Sequence, residues 1–321
     1  MRILVTGGVG YIGGTVARAL AQQGHDVVVY DNLCHATRAL LPAGVKFVQG
    51  DVADRSGLEK LLSSGFDGVM HFAALIEAGE SMLKPELYFR NNTAATLSLL
   101  EAMISTGVHR LVFSSTAAVY GEPDVTPIPE DAPLRPTNPY GESKLLVEKM
   151  LSWVYRVHGL RYASLRYFNV AGAMGGRGEA HEPESHLIPL VLDVALGRRE
   201  KIKIYGDDYP TPDGTCIRDY IHVEDLAHAH LLAFEALATR GPLIYNLGNG
   251  AGFSVLAVIE SARRVTGRPI PVEIVPRRAG DPAILIASSE KIARELGWKP
   301  RHSNLDEIIE SAWAWQQIRY S

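Results

Sequence analysis

Short apolar runs alternate with amphipathic helical patterns through the first half of the chain. The apolar runs are rich in β-branched residues and read ILVTG, DVVVYD, KFVQGD, DGVMHFAA and RLVFSST. Helical patterns such as YIGGTVARALAQQG separate these runs. Strands that alternate with helices predict βαβ units and a parallel sheet that is covered on both faces. We therefore predict an α/β fold with a doubly wound parallel sheet.

From residue 122 onward, long loops interrupt the regular alternation of predicted strands and helices. Residues 122–139 carry six prolines and predict a long ordered loop, which a helix follows from about residue 140 to residue 158. Residues 171–185 are Gly-rich and polar, which predicts a mobile or ligand-ordered loop. We predict a first domain over 1–170, with segments near 221–248 returning to its sheet, and a smaller, interleaved C-terminal substrate lobe mainly over 171–321.

Composition excludes several classes of function. The formal net charge of the 321 residues is -4, so we expect no nucleic-acid partner through bulk charge. No apolar stretch approaches the ~20 residues of a membrane span, and the first strand begins too soon after Met1 for a signal peptide. Cys34 and Cys216 show no metal-ligand spacing, so we expect no metal, no membrane partner and a cytoplasmic protein with reduced thiols.

Glycines 7, 10 and 13 lie between the first predicted strand and the first predicted helix. Gly7, Gly10 and Gly13 permit a tight turn and let backbone N–H groups approach a pyrophosphate. Asp31 ends the second strand roughly 20 residues later, where a carboxylate accepts ribose hydroxyls, and Asp51 ends the third. A glycine turn alone also occurs as a plain connection, but this combination predicts a Rossmann dinucleotide site. The acid at position 31 favours NAD over NADP.

Tyr140 and Lys144 lie one helical turn apart at the start of the long predicted helix. On one helical face the ammonium lies near the phenol, and together with a nearby cationic nicotinamide ring it is expected to lower the phenol pKa and favour phenolate. Thr116 ends the strand LVFSST, where its hydroxyl would hydrogen-bond a substrate oxygen, whereas Ser114 and Ser115 satisfy backbone or adenine-side groups. Together these residues predict a catalytic triad that oxidises an alcohol by hydride transfer to NAD. Each motif alone also occurs on surface helices and in turns.

The glycine spacing, the segment HFAA after the fourth strand and the motif YGESK resemble the extended short-chain dehydrogenase/reductase family. A longer ordered series is similar to its UDP-glucose 4-epimerase branch and includes TGGVGYIGG, FSSTAAVYG, NPYGESK, RYFNVAGA, RDYIHVEDLA and PRRAGD. The resemblance implies an isomerase that interconverts UDP-glucose and UDP-galactose. Tyr140 removes the O4 proton while the C4 hydride passes to tightly bound NAD, and the 4-keto sugar rotates before it is reduced on its other face. It also implies a homodimer.

The same resemblance implies which residues hold each ligand. The NAD site is expected to consist of Gly7, Gly10, Tyr11, Ile12, Gly13, Asp31, Asn32, Leu33, Cys34, His35, Ala36, Asp51, Val52, Phe72, Ala73, Ala74, Leu75, Asn91, Thr116, Tyr140, Lys144 and Phe168. The UDP-sugar site is expected to consist of Thr116, Tyr140, Asn169, His186, Leu187, Lys203, Ile204, Tyr205, Arg218, the run from Arg278 to Asp281, and Leu285. Arg218 and Arg278 are expected to clamp the diphosphate through bidentate contacts, while His186 has capping or packing as its alternative role.

The chain departs from the family pattern in three places. Ile76 follows HFAAL where many members carry a lysine near the cofactor, which implies that one NAD contact is lost. Thr116 replaces a serine and keeps the hydroxyl. Leu285 stands where a bulky aromatic residue restricts the sugar pocket in some members and a small residue admits an N-acetyl group in others. We therefore predict partial tolerance of N-acetylated UDP-hexosamines.

Other functions stay open at the level of the sequence. In a nucleotide-sugar 4,6-dehydratase, the residues that follow this strand resemble Thr-Asp-Glu. This chain has Ala117 and Ala118 at those places. A decarboxylase, or an epimerase of uronates or pentoses, is harder to separate because sugar recognition uses few residues. A non-catalytic NAD-binding sensor predicts loss of Thr116, Tyr140 or Lys144, and all three are present.

Overall fold

Strands and helices alternate along most of the chain in the computed structural model, which describes residues 1–278 and 281–321. The strands are β1 (Arg2–Thr6), β2 (Asp26–Asp31), β3 (Lys46–Gln49), β4 (Gly68–His71), β5 (Arg110–Thr116), β6 (Arg161–Tyr167), β7 (Asn169–Ala171), β8 (Ile202–Tyr205), β9 (Ile217–Arg218), β10 (Tyr220–His222), β11 (Leu243–Leu247), β12 (Phe253–Ser254), β13 (Val272–Val275) and β14 (Ile284–Leu285). The helices are α1 (Tyr11–Gln22), α2 (Arg55–Leu62), α3 (Ala78–Ser81), α4 (Pro85–Tyr88), α5 (Ala95–Thr106), α6 (Pro139–His158), α7 (Leu187–Ala195), α8 (Val223–Ala236), α9 (Val255–Thr266), α10 (Glu290–Leu296) and α11 (Leu305–Arg319). Within the described ranges, no helix is both long and apolar enough to cross a membrane.

The strands β1 to β6 and β11 form one seven-stranded sheet in which every neighbouring pair is parallel. The strand order is β11-β6-β5-β4-β1-β2-β3. The chain builds outward from β1 to β3 and then returns to the other side of β1 as β4, so the order reverses between β1 and β4. Doubly wound sheets bind ligands at this reversal, outside the carboxyl ends of the strands. The predicted fold class is confirmed.

Both faces of the sheet are buried because side chains alternate along each strand. Ile3 and Val5 of β1 pack in one core with α1 and α8, whereas Leu4 packs in the opposite core with α2, α5 and α6. The strand β11 comes from the C-terminal half of the chain and pairs with β6. The N-terminal domain therefore takes residues 243–247 into its sheet.

A smaller lobe has a third apolar core. Val191 of α7, Val258 of α9 and Ile308 of α11 are buried together there, and β8 pairs with β13 beside them. The segment after residue 160 forms two strands, because β6 pairs in the main sheet whereas β7 pairs with β10. This division turns the chain from the sheet toward the lobe at Phe168.

The helix α6 begins at a side-chain cap and a proline. The side-chain oxygen of Asn138 accepts a hydrogen bond from the backbone N–H of Gly141 at 2.9 Å, and Pro139 occupies the first helical position, where it loses no backbone bond. The helix ends at Gly159, whose φ of 68° favours glycine. The predicted helix of residues 140–158 is confirmed to within one residue.

A buried ion pair joins α6 to the sheet. Arg166 on β6 binds both carboxylate oxygens of Glu148, with Nη2 to Oε2 at 2.6 Å and Nε to Oε1 at 3.0 Å. The two side chains are only 2% and 5% exposed. The hydroxyl of Ser115 donates to Glu148 Oε1 at 2.6 Å, so the interpretation of Ser115 as a partner of backbone or adenine-side groups is wrong. Lys144 lies one turn before Glu148, and the ion pair therefore fixes how α6 presents it.

Candidate active site

A cavity of about 630 Å³ lies at the carboxyl edge of the sheet, in the size range of small-molecule sites. Most of the residues predicted from the sequence line it, and these are Gly7, Gly10, Tyr11, Ile12, Gly13, Asp31, Asn32, Cys34, His35, Ala36, Asp51, Val52, Phe72, Ala73, Ala74, Leu75, Asn91, Thr116, Tyr140, Phe168, Asn169 and His186. These predicted residues therefore line a single cavity, although they lie between positions 7 and 186 of the sequence.

Other predicted residues do not line this cavity. The side chain of Leu33 packs on the adjacent core, while its backbone N–H donates to Asp31 Oδ1 at 2.9 Å. Lys144 lies behind the wall and is 3% exposed. The remaining ones belong to the smaller lobe and are Leu187, Lys203, Ile204, Tyr205, Arg218, Arg278, Asp281 and Leu285. Ala279 and Gly280, which the predicted run from Arg278 to Asp281 includes, lie outside the described residues.

The glycine turn fits a pyrophosphate. A Cβ on Gly7 would lie 2.6 Å from the backbone N of Ala73, and the φ of Gly7 is +69°, so only glycine suits this close approach. The helix α1 follows at once, and its N-cap residue Gly10 supplies no side-chain hydrogen bond. The first N–H groups of such a helix need acceptors and carry partial positive charge. Phosphate oxygens are suitable acceptors, so the residues present fit the diphosphate of NAD.

Two carboxylates predicted to contact NAD, Asp31 and Asp51, line the cavity. Asp31 Oδ2 accepts from the backbone N–H of Val9 at 3.0 Å, which ties the end of β2 to the glycine turn. Asp51 Oδ2 accepts from the side chain of Asn32 at 2.8 Å. A carboxylate has about four lone-pair sites, so both groups keep acceptor capacity toward the cavity.

Thr116, Tyr140 and Lys144 meet where β5 ends against the start of α6. Thr116 Oγ1 accepts from the backbone N–H of Ala118 at 3.1 Å, which fixes the rotamer and leaves the hydroxyl able to donate. Lys144 Nζ donates to the carbonyl oxygen of Ser114 at 2.9 Å and lies 5.0 Å from the centre of the Phe113 ring. Strand β5 thus carries the Thr116 hydroxyl at its end and holds the Lys144 amine through the carbonyl oxygen of Ser114.

Burial shifts the pKa values of both Tyr140 and Lys144 in the protein alone. Desolvation raises the pKa of the Tyr140 phenol, the nearby Thr116 hydroxyl opposes this effect, and the charge of Glu77 adds to it. Burial also lowers the pKa of Lys144 to about 7. In the protein alone the low-dielectric surroundings therefore disfavour both charged forms, and the lowering of the phenol pKa by Lys144 together with the nicotinamide ring stays a prediction for the site with NAD bound.

His186 lies at the N-cap position of α7 but does not cap it with its side chain. Its Nδ1 instead lies 2.7 Å from Glu184 Oε1. Burial lowers the pKa of His186, but the bond to Glu184 and the charges of Glu179 and Glu184 outweigh it and raise the pKa to about 9. The imidazole that lines the cavity is therefore cationic at neutral pH.

The predicted anion clamps already have partners in the smaller lobe. The guanidinium of Arg218 pairs with Asp281 and also donates to the carbonyl oxygen of Ile217 at 2.7 Å. The guanidinium carbon of Arg278 lies 3.9 Å from the centre of the Tyr205 ring. Four of the predicted lobe residues therefore form two contacting pairs. Leu285 packs in a cluster with Phe168, which lines the cavity.

Sequence reasoning missed one wall of the cavity. Residues 177–186, which we call the strap, cross over the glycine turn, and Arg177 donates to the carbonyl oxygens of Val9 and Gly10. Glu77 reaches the strap from the opposite side of the cavity, where it contacts His181. The glycine-rich composition of residues 171–185 indicated a mobile or ligand-ordered loop, but no local pattern marks these individual contacts.

Comparison with known proteins decides the family. The profile of the NAD dependent epimerase/dehydratase family matches residues 3–248. The chain belongs to this family. A UDP-glucose 4-epimerase of Streptomyces lividans is 56% identical over 316 residues, which cover 98% of this chain and 95% of that protein.

Solved structures of epimerases share the whole fold. UDP-glucose 4-epimerase from Bifidobacterium longum in complex with NAD+ and UDP is 40% identical, with a TM-score of 0.94 over 100% of this chain and 99% of that one. The UDP-Glc/GlcNAc 4-epimerase from Campylobacter jejuni is also 40% identical, with a TM-score of 0.89 over 99% of each chain. The predictions of the family, of an NAD-dependent isomerase and of NAD as its cofactor are confirmed.

Replacing Gly7 by alanine is expected to abolish NAD retention. The added Cβ would meet the backbone of Ala73 and would also sit on a left-handed φ. The measurement is the amount of NAD released on denaturing the purified protein. Gly24→Ala is the matched control, because its φ is +82° and nothing lies within 4 Å of its Cβ, so it carries only the backbone cost of about 1–2 kcal/mol. Equal NAD content in the two variants would contradict the role of the turn.

Proposed function

We propose that this chain is an NAD-dependent UDP-glucose 4-epimerase that interconverts UDP-glucose and UDP-galactose through a 4-keto intermediate. The meeting of Thr116, Tyr140 and Lys144 beside the cavity of the glycine turn carries this proposal. The Streptomyces lividans relative and the similar solved epimerases support it, since all bear the same activity in their names.

NAD held by the glycine turn would supply reversible hydride transfer at C4 of the sugar and a positive charge beside the phenol. Thr116 donates its hydroxyl hydrogen bond to O4 and orients it. The phenol oxygen of Tyr140 takes the O4 proton and later gives it back. Lys144, held on the Ser114 carbonyl oxygen, stabilises the phenolate to the extent that its amine, whose pKa burial lowers to about 7, is protonated. The base therefore acts in a desolvated site where added charge has a large effect.

The residues after the catalytic strand favour epimerisation over elimination. Ala117 and Ala118 form the turn that follows β5, and neither supplies an acid or a base. A 4-keto sugar held there meets no group able to remove the C5 proton from this turn. The ketone is therefore reduced again rather than dehydrated.

The UDP portion must stay anchored while the sugar turns. We assign this role to the lobe residues predicted above, with Arg218 and Arg278 against the diphosphate and the cationic His186 near the sugar. Asp281 holds Arg218 and Tyr205 holds Arg278, so both guanidinium groups are already oriented. A phosphate then replaces or joins an existing partner at each guanidinium.

Tyr140→Phe is expected to lower kcat for UDP-galactose by at least about 10²-fold, because it removes the oxygen that carries the proton. The assay follows UDP-galactose to UDP-glucose without added NAD. Tyr155→Phe is the control, since Tyr155 lies on the same helix and packs against the Tyr162 ring. Full activity in Tyr140→Phe, or a 4-keto-6-deoxy product from the unaltered enzyme, would contradict the proposal.

We further propose that N-acetylated UDP-hexosamines are accepted in part, because Leu285 is intermediate in size and packs beside Phe168. Leu285→Tyr is expected to reduce kcat/KM for UDP-N-acetylglucosamine about tenfold more than kcat/KM for UDP-galactose. Leu285→Met conserves volume and serves as the control. Absence of any turnover of UDP-N-acetylglucosamine by the unaltered enzyme would end this idea.

We propose a homodimer that buries the outer faces of α5 and α6. Trp153 and Val157 lie one turn apart on α6 and are 65% and 69% exposed, and Leu97 on α5 is 44% exposed. Such apolar exposure favours an interface. Trp153→Glu is expected to give a monomer in sedimentation, whereas Ile318→Glu on α11, also at an exposed position, leaves the dimer intact. A monomeric unaltered protein would refute the proposal.

The free thiol state of both cysteines supports a cytoplasmic location. Cys34 is exposed, Cys216 is buried, and both are free thiols, as expected in a reducing compartment. Recovery of the protein outside the cytoplasmic fraction of cells would count against this location.

A further inference from the structure

The strap (residues 177–186) is anchored to the body of the protein on two sides of the cavity. Arg177 Nη2 donates to the carbonyl oxygen of Gly10 at 3.0 Å, which pins the first residue of the strap to the turn that faces the pyrophosphate. Trp315 Nε1 on α11 donates to the carbonyl oxygen of Glu179 at 2.7 Å. Arg319 on α11 also donates to the carbonyl oxygen of Ala180 at 3.2 Å and to Glu182 Oε1 at 2.8 Å. None of these contacts spans the mouth of the cavity.

A third contact spans the mouth. Glu77 follows β4 by six residues and lies just after the segment 72–75, which lines the cavity. Its Oε1 lies 3.2 Å from His181 Nε2, and its Oε2 accepts from the Ser185 hydroxyl at 2.8 Å. Both oxygens of one carboxylate are therefore used to join the sheet side of the cavity to the strap. Glu77 and His181 both line the cavity.

The Glu77–His181 contact is largely shielded from water. The two side chains are 24% and 15% exposed, so solvent screens the pair less than a surface ion pair. The hydrogen bond from His181 lowers the pKa of Glu77, and the same contact raises the pKa of His181. The contact therefore favours the ionic form of the pair, in a neighbourhood that also contains Glu179, Glu184 and His186.

We infer that Glu77 is a latch that slows the release of NAD by holding the strap across the cavity. The inference rests on NAD binding in the proposed function, and it names a positioning residue rather than a catalytic one. NAD that lies between the glycine turn and the strap leaves only when the strap moves away, and this movement breaks both bonds of Glu77. The latch lies next to Ile76, where the sequence implies that a cofactor contact is lost.

The test measures release of NAD, not activity. Purified protein loaded with radiolabelled NAD is mixed with excess unlabelled NAD, and the label that stays bound is followed with time. Glu77→Gln keeps the size of the side chain but removes its charge, and we expect release to become about tenfold faster, equivalent to about 1.4 kcal/mol. Glu86→Gln is the matched control, because it removes one nearby negative charge from an exposed position of α4. We expect its release rate to equal that of the unaltered protein.

A double-mutant cycle shows whether the ion pair is responsible. If Glu77 and His181 act together, Glu77→Gln adds little to the effect of His181→Gln. Unchanged release in Glu77→Gln, or strictly additive effects of the two substitutions, would overturn the latch. Protein that binds NAD but does not convert UDP-galactose refutes the proposed epimerase and leaves the latch measurable. Protein that takes up no NAD refutes both.

Discussion

The buried ion pair between Arg166 and Glu148 is the contact on which the arrangement of the site depends. An isolated buried charge loses several kcal/mol of hydration, so each of the two groups requires the other. The planar guanidinium binds both oxygens in parallel, which fixes the rotation of α6 as well as its distance from β6. Lys144 and Tyr140 lie one and two turns before Glu148. A slide or a roll of α6 would therefore move both of them away from Thr116.

The same exclusion of water sets the chemistry. It raises the pKa of Tyr140 and lowers the pKa of Lys144, so neither charged form is favoured in the protein alone. Electrostatic interactions are stronger where water is absent, and a positive charge that arrives beside the phenol therefore acts with full effect. Proton transfer at Tyr140 is thereby linked to occupation of the cavity. This linkage suits a reaction whose intermediate must not form outside a complete site.

The sequence predicts best those features that depend on local order. The glycine turn, the alternating strands and the start of α6 at Asn138 and Pro139 all follow from neighbouring residues. The contacts of Glu77 with His181 and of Arg166 with Glu148 join residues that are far apart in the chain, and periodicity does not show which charged residue meets which. The pKa of Tyr140 in the protein alone does not follow from the sequence for a related reason. Helical spacing gives the position of Lys144 but not the desolvation of both groups.

The turn of Ala117 and Ala118 after β5 has a steric role, in addition to offering no acidic or basic side chain. A Cβ on Gly141 would lie 2.6 Å from the carbonyl oxygen of Ala118, so the backbone of α6 approaches this turn as closely as glycine allows. The N–H of Ala118 meanwhile fixes the Thr116 hydroxyl. One short turn thus orients Thr116 through the N–H of Ala118, and the start of α6, which carries Tyr140, packs closely against its carbonyl oxygen. Because its side chains are methyl groups, it performs both tasks through the backbone and offers no acid or base to a ketone held beside it.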